Sequence, residues 1–233
     1  MESNTYTIDY HFLLKGDKKK FFTIEIDKKT MLNTIPLPDE KPFWTELDYE
    51  KCECCPLEKD QMPYCPIALN IMGLVESFKD SLSSDNCIIK CVTPERVYYK
   101  ESTAQDGLFS IFGIINATSR CPIMSFFKPM ARFHLPFATV EETKVRVVSF
   151  FLLSQYFQQK KRNTLDIRLE ELDEHYANVQ MVDRGILNRI RGISKNDADQ
   201  NAFVVLNSLA QIISFEIDEK LQSIEEIFET AYK

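Results

Sequence analysis

The sequence predicts an α+β protein, with an N-terminal antiparallel sheet of two hairpins covered by helices and an all-helical C-terminal region. Three observations carry that prediction. Apolar residues alternate with polar ones over residues 6–14 and 22–26 and again over 87–91, the period of half-buried strands. Between and after these stretches they recur at helical spacing. From residue 139 onward every periodic segment is helical, so the division falls at 1–138 and 139–233.

The first hairpin is read from Tyr6, Ile8, Tyr10, Phe12 and Leu14, a turn at Lys15-Gly16-Asp17, and a return through Phe22, Ile24 and Ile26. A proline-punctuated connector from Pro36 to Pro42 follows, with Phe43 and Trp44 expected to anchor it on the sheet. Pro66 suits the first position of a helix, and Ile67, Ile71, Leu74, Val75, Phe78 and Leu82 form its apolar stripe, which places Cys65 at the N-cap. Cys87, Ile89 and Cys91 share one face of the next strand, Thr93-Pro94-Glu95-Arg96 turns, and Val97-Tyr98-Tyr99 returns. In that setting Cys87 and Cys91 read as small core residues. Residues 102–118 are apolar on most sides, the pattern of a central buried helix, and Pro122 can open a further short one.

Thr139 with Glu142 spells a capping box, followed by Val145, Val148, Phe151, Leu152, Tyr156 and Phe157 on the expected inner side. Leu165, Leu169, Leu172, Tyr176, Val179, Ile186, Ile190 and Ile193 then keep steps of three and four, interrupted at Asp183. That is a heptad-like helix near 165–193, roughly 40 Å long at the α-helical rise. Its partner is either internal, through Ala202, Val205, Leu206, Leu209, Ile212 and Ile213, or a second copy of the chain. A last amphipathic helix carries Leu221, Ile224 and Phe228.

Composition excludes several function classes. At 233 residues the chain can bury a core without disulfides, and a formal charge of −7 argues against general affinity for nucleic acid or acidic membranes. No apolar run reaches the roughly 18 residues of a membrane helix, and the first twenty residues do not read as a signal peptide, so a cytoplasmic location is expected. No P-loop, dinucleotide fingerprint, HExxH or GxSxG pattern occurs, and no catalytic residue is assigned.

The chemical signal is "KCECCPLEKDQMPYCPIALN", residues 51–70, which holds four of the seven cysteines. The Cys52-x2-Cys55 knuckle and Cys65 supply three thiolates at a spacing suited to zinc. Cys121 is the expected fourth ligand, because it repeats the Cys65 context of cysteine, then proline, at the opening of a helix. His134 is the alternative fourth ligand, and Cys54, beside a knuckle cysteine, is expected to point away. Four thiolates could equally hold an iron–sulfur cluster. A closed four-ligand zinc site has no open position and is structural. In "PMARFHLPFA" two prolines bracket a segment expected to be extended. Arg132 and His134 would then face one way and, with Arg120, could line an anion pocket.

The stretches "CECCPLEKDQMPYCPIALN", "ATSRCP", "PMARFHLPFA" and "DADQNAFVVLNSLAQII" together resemble a family of uncharacterised bacterial cytoplasmic proteins, over nearly the full chain. The resemblance implies shared cysteines at Cys52, Cys55, Cys65 and Cys121 and a variable position at Cys54, and it supplies no known activity. The function expected from all of this is a non-enzymatic, metal-stabilised binding or regulatory module that self-associates or binds a protein partner through its helical region. The alternative is an enzyme or iron–sulfur redox protein using the cysteine site or the Arg/His pocket.

Overall fold

The computed structural model describes residues 4–78, 83–162, 165–193 and 198–232. Leu82 and the side chains of Ala202 and Val205, which belong to the expected stripes, lie outside the described residues.

Both hairpins form. β1 (Thr5–Leu14) pairs with β2 (Lys19–Asp27), and β3 (Asn86–Val92) pairs with β4 (Val97–Thr103). The first turn needs left-handed backbone at Gly16 (φ 72°) and Asp17 (φ 57°), which glycine and a short polar side chain tolerate best. The hairpins join through β1 and β3, giving the antiparallel order β2-β1-β3-β4 with Tyr10 opposite Cys91 and Phe12 opposite Ile89. This register places Ile8, Tyr10, Phe12, Ile24, Ile89 and Cys91 on one buried face.

Helices α1 (Pro66–Phe78) and α2 (Ala104–Thr118) cover that face. The Phe12 and Phe78 rings meet edge to face at 5.1 Å. Gly107 lets α2 approach β1, since a Cβ there would stand 2.3 Å from the Phe12 ring. Thr103 caps α2 by accepting the Asp106 N–H at 3.4 Å. After α2 the chain turns through a short 3-10 helix (Met124–Phe127) into α3 (Lys128–Arg132).

Four more helices complete the chain: α4 (Val140–Arg162), α5 (Glu170–Arg191), α6 (Ala198–Asp218) and α7 (Gln222–Glu229). The capping box is present, with Thr139 N–H donating to Glu142 at 2.8 Å and Glu142 N–H donating to the Thr139 hydroxyl at 3.1 Å. The seam of α5 is buried from Leu172 through Ile190 and packs on α6 of the same chain, where Ala210, Ile213 and Ile217 face inward. α2 also packs on α6, so one apolar cluster runs from the sheet to the C-terminal helices. No helix among the described residues is long and apolar enough to cross a membrane.

Four local expectations are corrected. The long helix starts at Glu170, because the Asp166 carboxylate accepts the N–H groups of Arg168 and Glu171 (3.1 and 2.8 Å) and Leu169 turns left-handed at φ 65°. Leu165 is left exposed ahead of it. On α4 the inward face is Val147, Val148, Phe151 and Gln155, while Tyr156 and Phe157 are more than 60 % exposed. Gln155 sets that orientation by donating to Glu171 at 3.0 Å. Phe43 is exposed and only Trp44 is buried, in a turn that packs on α1 and α5 instead of the sheet. Finally, Pro129 does not bracket an extended segment. It occupies the first turn of α3, where a missing N–H costs nothing, and the chain stays helical to Arg132.

Candidate functional site

The cysteine loop is tied at its base. Cys65 N–H donates to Thr45 O at 2.8 Å and Leu47 N–H to Pro63 O at 2.9 Å, which sets Cys65 at the foot of α1. Within the loop, Cys55 N–H donates to Cys52 O at 2.9 Å, the turn expected of a C-x2-C knuckle. Cys65-Pro66-Ile67 and Cys121-Pro122-Ile123 are local copies of one another. The N–H groups of Ile67 and Ala68 reach the Cys65 sulfur, and those of Ile123 and Met124 reach the Cys121 sulfur.

The predicted four thiols share one neighbourhood. Burial pushes the Cys52 thiol up to about 12, and Cys65, Cys55 and Cys121 add repulsion that the Arg189 cation opposes. Burial likewise raises Cys65, and it pushes Cys121 up to about 11, against the pull of the N–H groups on each sulfur. Thiols held this high are protonated near neutral pH and are poor nucleophiles. Cys54 points away, its Sγ donating to Asn178 O on α5 at 3.5 Å. Cys52 Sγ is turned toward Val182 O, also on α5, at 3.8 Å.

With Cys52 Sγ turned to a backbone carbonyl, the four thiols are gathered but not closed into a coordination shell. Among the described residues no group of three or more His, Cys, Asp or Glu side chains is placed to hold a metal ion.

Two residues that the sequence did not single out shape the cluster. Gly185 on α5 lies so close that a Cβ there would stand 2.5 Å from Cys52 Sγ and 3.3 Å from its Cα. Arg189, one turn further on, is 1 % exposed and donates to the carbonyls of Trp44 (2.7 Å), Glu46 (2.7 Å) and Leu47 (2.9 Å). A glycine inside a strongly periodic helix was the available signal for the first. For the second, an arginine three residues after Ile186 falls beside the buried seam.

The Arg/His stretch does not assemble as one site. Arg132 lies over the Tyr6 ring at 4.2 Å and pairs with Glu95 at 3.7 Å, whereas His134 Nε2 is 2.6 Å from the Tyr10 hydroxyl. Arg120 is exposed at the end of α2. Burial, reinforced by the Arg146 cation, lowers His134 to about 3, so its imidazole is neutral and adds no positive charge. The structure places His134 at Tyr10 on the sheet and not among the four clustered cysteines.

A family model described as Domain of unknown function (DUF6901) matches residues 8–229. The chain belongs to this family. No curated protein and no solved structure matches it.

Proposed function

We propose that this member of the family is a non-enzymatic binding or regulatory module whose Cys52, Cys55, Cys65 and Cys121 take up zinc as a structural tie. The observation that supports the reading is the gathering of these four thiols within electrostatic reach of Cys52 and beside Arg189, a buried cation whose hydrogen bonds go to backbone carbonyls. Zinc with four thiolates has a net charge of −2, so a buried guanidinium is the complement such a centre needs. The N–H groups on the Cys65 and Cys121 sulfurs favour the thiolate form in the same way. Closing the shell requires Cys52 Sγ to leave Val182 O, which gives up one weak S–H hydrogen bond.

The centre would pin the loop at 45–65, the start of α1 and the segment after α2 against α5. Its role is structural, because four protein ligands leave no position for a reacting water. A protein partner or a second copy would dock on the helical region, where Leu153, Tyr156 and Phe157 leave an exposed apolar row on α4. The resemblance to bacterial cytoplasmic proteins with the same four cysteines adds to this reading.

The test is metal analysis with an absorption spectrum on protein purified without chelator. One zinc per chain and no visible absorption is expected, with zinc content cut sharply in Cys121→Ser and retained in Cys54→Ser. Iron with brown colour, no bound metal, or full zinc retention in Cys121→Ser would overturn the assignment.

A further inference from the structure

Away from the cysteines, a cavity of about 150 Å³ lies where α2, α3, α4, α5 and α6 meet. Its wall is mostly apolar, built from side chains such as Phe109, Ile114, Met124, Leu135, Val179 and Leu209. A cavity of about this volume has room for a single aromatic ring.

Two side chains in that wall carry polar atoms without partners. Asn116 on α2 is fully buried, and neither its Nδ2 nor its Oδ1 has a hydrogen-bond partner. Asp183 on α5 is 2 % exposed, and its Oδ1 has none either. Leaving such groups bare in an apolar setting is costly, so the wall is built for something that pairs with them.

Several of the other polar groups in the wall are already engaged. The Ser110 hydroxyl accepts the Phe137 N–H at 3.0 Å, and His134 is paired with Tyr10 at 2.6 Å. Arg146 Nη2 donates to the carbonyls of Met130 and Phe133 at 3.2 and 2.9 Å. Asn116 thus offers one amide donor and one amide acceptor, and Asp183 a carboxyl oxygen in the same wall. An ion entering so apolar a space would lose its hydration, and the Arg146 cation in the wall is already turned to backbone carbonyls through Nη2, whereas an uncharged amide would lose little. A second cavity of about 270 Å³ adjoins the first, sharing Phe109, Ala138, Thr143 and Leu209 with it.

We infer that this cavity binds a small, uncharged, largely apolar molecule of single-ring size bearing an amide-type edge, an N–H beside a C=O, which Asn116 pairs through both free atoms. The ligand's apolar body fills the space between α2 and α6, and Asp183 flanks its polar edge. The site is independent of the cysteine centre, so either assignment can fail without the other.

The test uses benzamide, isopropylbenzene and benzoate as probes of matched size, titrated into the ¹⁵N-labelled full chain. Benzamide is expected to bind and to move the Asn116 side-chain amide resonances, and to bind more tightly than benzoate. In Asn116→Leu, benzamide should weaken at least about tenfold while isopropylbenzene holds or tightens. The inference is overturned if benzamide shows no binding at about 10 mM, if benzoate binds more tightly, or if Asn116→Leu leaves the benzamide affinity unchanged. Should that variant fail to fold, the wild-type resonances decide: benzamide binding that leaves the Asn116 amide unmoved also overturns it.

Discussion

Gly185→Ala is the sharpest perturbation of the cysteine loop, because its sign runs against helix propensity. Replacing an interior helical glycine by alanine normally stabilises by about 1 kcal/mol. Gly73, on α1, is the matched control: nothing lies within 4 Å of a Cβ placed there. At Gly185 the same methyl would sit 2.5 Å from Cys52 Sγ and 3.3 Å from Cys52 Cα, and the second of these is backbone. Overpacking of that kind costs about 1–3 kcal/mol, which leaves Gly185→Ala between neutral and about 2 kcal/mol less stable than wild type. Urea unfolding in reducing buffer should therefore separate the two alanine variants by about 1–3 kcal/mol, with Gly73→Ala above wild type. Adding Cys52→Ala should recover part of the loss in a double-mutant cycle, with coupling of at least about 0.5 kcal/mol. If Gly185→Ala stabilises as much as Gly73→Ala, or shows no coupling to Cys52, the close approach of α5 to the knuckle is refuted.

Four further outcomes are expected. Arg189→Met removes the donor from three backbone carbonyls, two of them in buried hydrogen bonds, and should destabilise by about 3–5 kcal/mol in urea unfolding; an unchanged midpoint would show that the connector is held by something else. Burial raises Asp183 from 3.8 to about 8 in the folded chain, so between these values the folded state holds a proton that the unfolded state has lost. Stability then falls by about 1.4 kcal/mol per pH unit over that window. Asp183→Asn should gain on wild type from pH 6.5 to pH 8 and run parallel above it, and a gap that stays constant would refute the shift. His134 acts with the opposite sign. Lowered from 6.5 to about 3, it adds stability above pH 6.5 that is lost as pH falls toward 3, so His134→Gln should flatten the acid limb of the unfolding curve. On α4, Tyr156→Gln with Phe157→Gln should change stability by less than about 0.5 kcal/mol, and a larger loss would mean that this face is packed.

What the sequence made legible follows the reach of each physical signal. The strands, the caps at Cys65 and Thr139, and the α5 seam rest on short-range periodicity or on side chains that bond within three residues. Orientation was less legible. The stripe on α4 could not reveal that Gln155 would turn inward to meet Glu171, and two prolines could not show that Pro129 would sit in a helical first turn. For the cysteines, spacing identified which thiols would gather but not that α5 would supply Gly185 and Arg189 behind them, since those contacts join residues more than 130 positions apart.

Asp183 shows the same limit from the other side. In the sequence it is a fault in an otherwise apolar seam, and the simplest account of such a fault is a solvent-facing step. The structure instead buries it at 2 % exposure, with Asn116 of α2 in the same cavity wall. Two residues further along α5, Gly185 faces Cys52. At 100° per residue these positions lie on opposite flanks of one helix. One flank of α5 therefore packs against the cysteine loop while another lines the cavity, so the break in the heptad marks where the seam stops being only a packing surface.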